Sequence, residues 1–429
     1  MQSGGAVSRR ETDPAIRTVA ARPPASEVHG GAAALPVLVV APQPFYEDRG
    51  TPIAVHQLLW ALGRLGNSVD LLTYPVGRDV RLPGVTVLRI PNRFGIRAVP
   101  IGLSLRKLIL DAELAVALRR RLRAQRYRCI HAVEEAAFPA LFLGRRAGIP
   151  VIYDMQSSLP EQLAQHWMFR IPAVRAMLDA CERWLLRGVA AVVSSAGLAA
   201  RVHAVAPRAE VREWVYASEP YPIDQEQVER LRAELRIPGH ARLVVYAGTF
   251  EDYQGLPVLL AAIPAVCRSV PDAVFVCAGG SSNDCRAVAR TAARLNLDGR
   301  LRLLPRQPRE RVAALLAMAD VLVSPRVYGQ NLPLKIFDYL AAGRPIVATD
   351  IPAHRTILTP ERAVLVTADA EGLARGIRDV LLDPALAGRL ADAARTYAER
   401  HLGEAGFLRT VEELYDRVCA GETMSVRGS

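Results

Sequence analysis

The chain has 429 residues, 51% of them hydrophobic, enough for two α/β domains with sizeable cores. Its net charge of +11 suits phosphorylated substrates, anionic lipid or nucleic acid; without a helix-turn-helix, zinc-finger or aromatic RNA-binding pattern, a nucleic-acid partner is not expected. The six cysteines, at positions 129, 181, 267, 277, 285 and 419, form no CxxC pair, which argues against zinc or a disulfide framework and fits reduced cytosolic thiols.

Residues 1–34 are rich in Gly, Ala, Pro and Ser and lack the apolar core of a signal peptide, so a disordered extension is expected. LPVLVV (35–40) reads as a buried strand, followed by a loop carrying Arg49 and Gly50. Thr51 can cap the next helix with Pro52 in its first turn, and Ile53, Val55, Leu58, Leu59, Leu62 and Leu65 give it an apolar stripe. VDLLTY is the next strand, so the chain opens as a βαβ unit, without a GxGxxG fingerprint. Residues 91–128 mix apolar and basic side chains and are helical by pattern from Leu105. Such a surface can lie on anionic lipid; an ordinary packed helix with a solvated arginine end gives the same pattern.

CIHAV (129–133) reads as a strand ending in Glu134 and Glu135, and VIYDM as another ending near Asp154, Gln156 and Ser157. Open α/β sheets bind ligands at such strand ends, although a surface carboxylate pair is also common. A helix through Ala180–Leu186 leads to VAAVVSSA, where Ser194 or Ser195 can cap the next helix. VREWVYA closes a first domain of residues 35–217, and residues 218–239 read as a connector with one short helix. A second domain, residues 240–402, starts with the strand LVVYAGTF and a helix from Gly255 to Val270, and continues with AVFVCAGG, RLRLLP, VLVSP, PIVAT and AVLVT. Helical patterns follow at 371–382, 385–401 and 404–420, before a tail of residues 421–429. No metal-binding Asp-x-Asp lies near a strand end, so no metal and no cofactor are expected.

Ser324 to Asp350 concentrates the chemistry. Asn331 can cap a helix with Pro333 in its first turn, ending at Gly343 and Pro345. Leu334, Phe337, Leu340 and Ala341 fall at core spacing, with Lys335, Asp338 and Tyr339 on the other side. In the first turn Lys335 opposes the helix dipole by a few tenths to ~1 kcal/mol, and a phosphate bound there would reverse the sign. A solvated Lys335–Asp338 pair worth roughly 0.2–0.5 kcal/mol is the alternative.

LAAGRPIVA resembles the donor-site segment of family 4 glycosyltransferases of the GT-B fold, whose signature is two glutamates eight positions apart before such a turn. Gln330 and Asp338 stand at those glutamate positions, and the resemblance covers nearly the whole chain from Leu35. It implies two doubly wound Rossmann-like domains facing a cleft, with a C-terminal helix, residues 403–420, crossing back to the first. It implies a retaining, metal-independent hexosyltransferase moving sugar from a nucleotide-diphosphate sugar to a hydroxyl acceptor, in cell-envelope glycolipid or polysaccharide synthesis. Gly50, followed by Thr51, matches a Gly-bearing loop that the family places against the diphosphate or the acceptor. Thr249 and Gln254 occupy the places of a basic phosphate-binding pair, so Lys335 and Arg326 are expected to substitute. Arg326, Gln330, Asn331, Leu332 and Asp338 complete the donor side, and Arg49, Glu135, Asp154, Gln156 and Ser157 the acceptor side. His131 matches the first of two family histidines, with Val133 in place of the second; His131, Glu134 and Lys335 are the catalytic candidates. The expected acceptor is a hydroxyl, free or lipid-linked, and the expected location is cytoplasmic or peripheral on the inner membrane face. A nucleotide-sugar binder without transfer activity and a nucleotide-sugar epimerase stay open as alternatives.

Overall fold

The structure is a computed structural model, and it describes residues 17–20, 35–47, 50–99, 104–158, 171–217, 224–329 and 332–420. Its strands are β1 Arg17–Ala20, β2 Val37–Ala41, β3 Val69–Thr73, β4 Val85–Arg89, β5 Cys129–Val133, β6 Val151–Met155, β7 Ala191–Ser194 and β8 Val211–Glu213, then β9 Arg242–Ala247, β10 Ala273–Gly280, β11 Leu301–Pro305, β12 Val321–Ser324, β13 Ile346–Thr349 and β14 Val364–Val366. Its helices are α1 Gly50–Arg64, α2 Leu105–Ala124, α3 Ala137–Ala147, α4 Pro172–Gly188, α5 Ala196–Val205, α6 Gln225–Glu234 and α7 Leu256–Ser269, then α8 Ser282–Arg294, α9 Arg309–Ala317, α10 Lys335–Ala341, α11 Pro352–Arg355, α12 Ala370–Leu382, α13 Pro384–His401 and α14 Glu404–Cys419.

The strands form two sheets, ordered β1-β4-β3-β2-β5-β6-β7-β8 and β11-β10-β9-β12-β13-β14. All pairings are parallel except β1 on β4. β2, β3, β5 and β6 are buried at every position, as central strands covered on both faces must be. Strand order reverses beside β2 in the first sheet and beside β9 in the second. The carboxyl ends of β2 and β5, and of β9 and β12, therefore frame the two ligand crevices.

Helix α14 returns to the first domain. Phe407, Val411, Leu414, Tyr415 and Val418 line one face and are buried in a core shared with α1 and β5. Arg128 pairs with Asp416 at 3.1 Å, and Arg417 with Glu210 at 2.6 Å. An aromatic cluster joins the domains: Tyr216 packs on Phe337 of α10 at 6.4 Å and on Phe407 at 6.0 Å between ring centroids.

Four sequence expectations are corrected. Residues 17–20, expected in a disordered extension, form β1, because β4 is an open edge that can accept another strand. Helix α1 begins at Gly50, so Thr51 lies within its first turn and does not cap it. Helix α10 begins at Lys335, later than an Asn331 cap requires, and Asn331 lies outside the described residues. Tyr339, expected on the solvent side, is fully buried, because its hydroxyl accepts from Ala247 N at 2.9 Å and satisfies the end of β9.

Candidate functional site

At the β9–β12 crevice, Lys335 is half-buried as the first residue of α10. Its Nζ donates to Gln254 Oε1 at 2.9 Å and lies 4.2 Å from the centroid of the Tyr246 ring. Gly248 makes that seat available: a Cβ there would stand 2.9 Å from Nζ. Burial, and then the positive charge of Arg326, push the Lys335 amine down to about 7. Burial also lowers Arg326, whose guanidinium lies over the Tyr253 ring at 5.1 Å and donates to the Tyr328 carbonyl at 2.9 Å. Two cations are thus held close together in a poorly solvated crevice, an arrangement that a bound dianion would relieve.

The loops carrying them are locked from beneath. Gly255 has φ +74°, and a Cβ there would lie 1.9 Å from the Pro325 carbonyl oxygen, so the loop after β9 and the loop after β12 meet only through a glycine. Val327 N donates to Tyr253 O at 3.0 Å across the same junction. Tyr246 donates to Thr249 O at 2.5 Å, so Thr249 contributes its carbonyl to the frame. His354 Nδ1 stands 2.7 Å from the Thr349 carbonyl, which can only accept. Nδ1 therefore carries the proton, and Nε2 accepts from Ser324 Oγ at 2.9 Å. Burial pushes His354 down to about 4, with Lys335 and Arg326 adding to the shift, so it stays neutral. One turn on from Lys335, Asp338 faces Arg309 of α9 at 3.9 Å. Arg309 in turn lines a cavity of about 320 Å³ between the domains, with Tyr46, His56, Trp60 and Arg78 on the opposite wall.

The β2–β5 crevice carries carboxylates. Glu134 starts a short 3₁₀ turn directly after β5, with φ +48°. Burial, and then the charge of Glu135, push its carboxyl up to about 7, and Ser157 donates to it at 3.2 Å. Glu135 pairs with Lys107 of α2 at 2.5 Å. Burial works to lower Lys107, but Glu135 and Glu134 hold it above its usual range. Tyr74 donates to Asp111, whose carboxyl burial raises to about 6. Gln156 bridges Asp154 at 2.5 Å and the Tyr216 hydroxyl at 2.9 Å, tying this crevice to the aromatic cluster.

The structure brings together Lys335, Arg326, Gln254 and Thr249 on one side, and Glu134, Glu135, Asp154, Gln156 and Ser157 on the other. Leu332 is half-buried against the core. Gly50 is exposed at the start of α1; Arg49, Gln330 and Asn331 lie outside the described residues. His131, one of the expected catalytic residues, lies beneath the crevice. It has no exposed surface, since α14 stacks over β5: Tyr415 Oη lies 2.8 Å from Nδ1, and Nε2 is 3.5 Å from Asp154 Oδ2. Sequence reasoning missed Tyr246, Gly248, Tyr253, Arg309, Tyr339 and His354. Only Gly248, a glycine directly after a buried strand, left a local signal.

Two family models match, "Glycosyl transferase 4-like domain" over residues 49–215 and "Glycosyl transferases group 1" over residues 241–383, one on each domain. The chain belongs to the GT-B glycosyltransferases of the group 1 and 4-like type. Curated relatives include a D-inositol 3-phosphate glycosyltransferase of Corynebacterium efficiens, 28% identical over 156 residues, 35% of each chain. A phosphatidyl-myo-inositol mannosyltransferase of Mycolicibacterium smegmatis is 30% identical over 162 residues, 37% of this chain and 41% of that one. These matches span well under half the length of those relatives. Sucrose-phosphate synthase from Thermosynechococcus elongatus shares the fold, with a TM-score of 0.74 at 20% identity over 90% of this chain and 99% of that one. HepE of Anabaena, in complex with UDP and glucose, shares it with a TM-score of 0.67 at 15% identity over 89% and 99%.

Proposed function

We propose that this glycosyltransferase moves a hexosyl group from a nucleotide-diphosphate sugar to a hydroxyl acceptor, with retention of configuration and without a metal, in glycolipid synthesis. The observation that carries the reading is the Lys335–Arg326 cation pair at the β9–β12 strand ends. The leaving diphosphate gains charge as the glycosidic bond breaks, and preorganised cations in a low-dielectric crevice stabilise that charge. Lys335 meets it directly, with Arg326 as its neighbour. Asp338 accepts from ribose hydroxyls, and Leu332 borders the sugar together with Gln330 and Asn331. Gly50 and Thr51 close over the diphosphate from the first domain.

Glu134, Asp154, Gln156 and Ser157 form the acceptor side, while His131 acts through Asp154 and the α14 contact as a positioning residue. The solved HepE complex contains UDP and glucose, and the curated relatives are named for inositol-phosphate and phosphatidyl-inositol acceptors; both support a nucleotide-sugar donor and an acceptor of the glycolipid kind.

We further propose peripheral attachment to an anionic membrane face. No helix among the described residues is long and apolar enough to cross a membrane. Instead α2 exposes Leu105, Leu108 and Val116 at 74%, 52% and 47%, beside exposed Arg106, Arg119, Arg120 and Arg123. Apolar side chains in a basic surface suit the headgroup region.

The test is a thermal-shift panel of UDP, GDP, ADP and their sugars, followed by transfer assays in EDTA with the stabilising donor. A ligand at 100 times its Kd should stabilise by about 2.7 kcal/mol. Stabilisation without transfer or hydrolysis would favour a binder that does not transfer, a reading that Thr249 and Gln254 in place of two cations motivates. Restoration of activity only by manganese or magnesium would remove the metal-independent mechanism.

A further inference from the structure

We infer that Cys129 and Cys419 form an oxidisable dithiol, which a hydroperoxide converts into a disulfide fastening the last helix to the first domain. The argument is independent of the proposed activity. Alternate side chains of β5, Cys129, His131 and Val133, face the same side of the sheet, and Tyr415 and Cys419 share a face of α14 one turn apart. The Tyr415–His131 contact of 2.8 Å fixes how helix and strand are aligned. From Tyr415 to Cys419 the helix advances by ~6 Å, and from His131 back to Cys129 the strand retreats by ~6.6 Å. The two steps match, and the Arg128–Asp416 pair at 3.1 Å pins the same end. Both cysteines belong to one apolar cluster, Cys129 within it and Cys419 packed against it, and each thiol perturbs the other.

Their environments divide the roles. Cys129 is fully buried, and the contact with Cys419 together with burial raises its thiol. Cys419 is half-buried at the open edge of the same contact, and the Arg128 guanidinium nearby favours its thiolate. Cys419 is therefore the thiolate that an oxidant meets first. Its sulfur attacks one peroxide oxygen, the O–O bond breaks, and the departing hydroxide is protonated to water, leaving a sulfenic acid. The Cys129 sulfur then attacks the sulfenic sulfur: the S–S bond forms, the S–O bond breaks, and the Cys129 proton leaves with the hydroxyl as a second water. The two sulfurs supply the two electrons that reduce the peroxide.

The experiment treats the full-length protein with hydrogen peroxide, alkylates the remaining thiols and maps peptides by mass. Expected is the loss of two thiols, one Cys129–Cys419 cross-linked pair within a monomer, and a raised Tm that a reductant reverses. Cys419→Ser should abolish the cross-link, and Arg128→Gln should slow it severalfold with Tm in reductant nearly unchanged. The exposed Cys181 is the internal reference. Cys419 reacting no faster than Cys181, Cys419 oxidised to the sulfinic acid while Cys129 stays free, or cross-linking between chains would each overturn the inference.

Discussion

Replacing Lys335 by alanine removes the amine held 2.9 Å from Gln254 and 4.2 Å from the Tyr246 ring. Losing a cation at the charge developing on the leaving diphosphate should cost on the order of 3 kcal/mol, about a hundredfold in kcat. The fold should persist and be stabilised most below pH 7, because relieving the cost of a desolvated amine outweighs losing a cation–π contact worth ~0.5–1 kcal/mol. The pH dependence supplies an independent reading. The amine titrates at about 7 in the folded chain against an ordinary 10.5, so between those values the unfolded chain holds more protons. Lys335 therefore contributes stability that increases as pH rises from about 7 towards 10.5, and its penalty is complete below 7. Lys335→Ala should lose that rise. The assay is initial rate against donor concentration, with Tm measured from pH 6 to 9 alongside. An unchanged kcat would refute the assignment and shift the phosphate contact to Arg326 or Arg49. An unchanged slope of Tm with pH would show that the amine is not depressed.

Binding of a nucleoside diphosphate at pH 8 should take up close to one proton, since the anion restores the charge on Lys335; calorimetry in buffers of different ionisation heat measures this, and Lys335→Ala should abolish it. Asp338→Ala should raise KM for the donor with kcat nearly kept, because a ribose contact is equal in ground and transition states; a fall in kcat alone would contradict the role. Gly255→Ala should destabilise by more than ~3 kcal/mol, as the methyl would lie 1.9 Å from a carbonyl oxygen at φ +74°; chemical denaturation with a near-wild-type midpoint would argue against the close approach. Flotation with anionic liposomes should fall with rising salt and fall further in Leu105→Asp/Leu108→Asp, as surface attraction decays within a Debye length; equal flotation with neutral liposomes would count against membrane attachment.

The sequence by itself determined the alternation of strand and helix and the two doubly wound domains, because central parallel strands announce themselves as unbroken apolar runs such as VLVV and LVVY. It also determined the apolar face of α14, since Phe407, Val411, Leu414 and Val418 recur at helical spacing. The residue types at the strand ends were readable for the same reason: topology puts them at the crevice whatever their neighbours. What lies beneath them was not readable. Nothing local says that Tyr339 of α10 reaches the end of β9, 92 positions away, or that His354 braces Ser324. Lys335 reads from sequence as a phosphate-facing or a solvated lysine; only its seat on Tyr246, opened by Gly248, and the nearby charge of Arg326 make it a depressed amine. The family resemblance puts His131 among the catalytic candidates, and the return of α14 across β5 encloses it. Helix and strand follow from the periodicity of a few neighbouring side chains. Burial and pKa depend on which distant segments cover a group, and that is settled only when the sheets close and the final helix packs back onto the first domain.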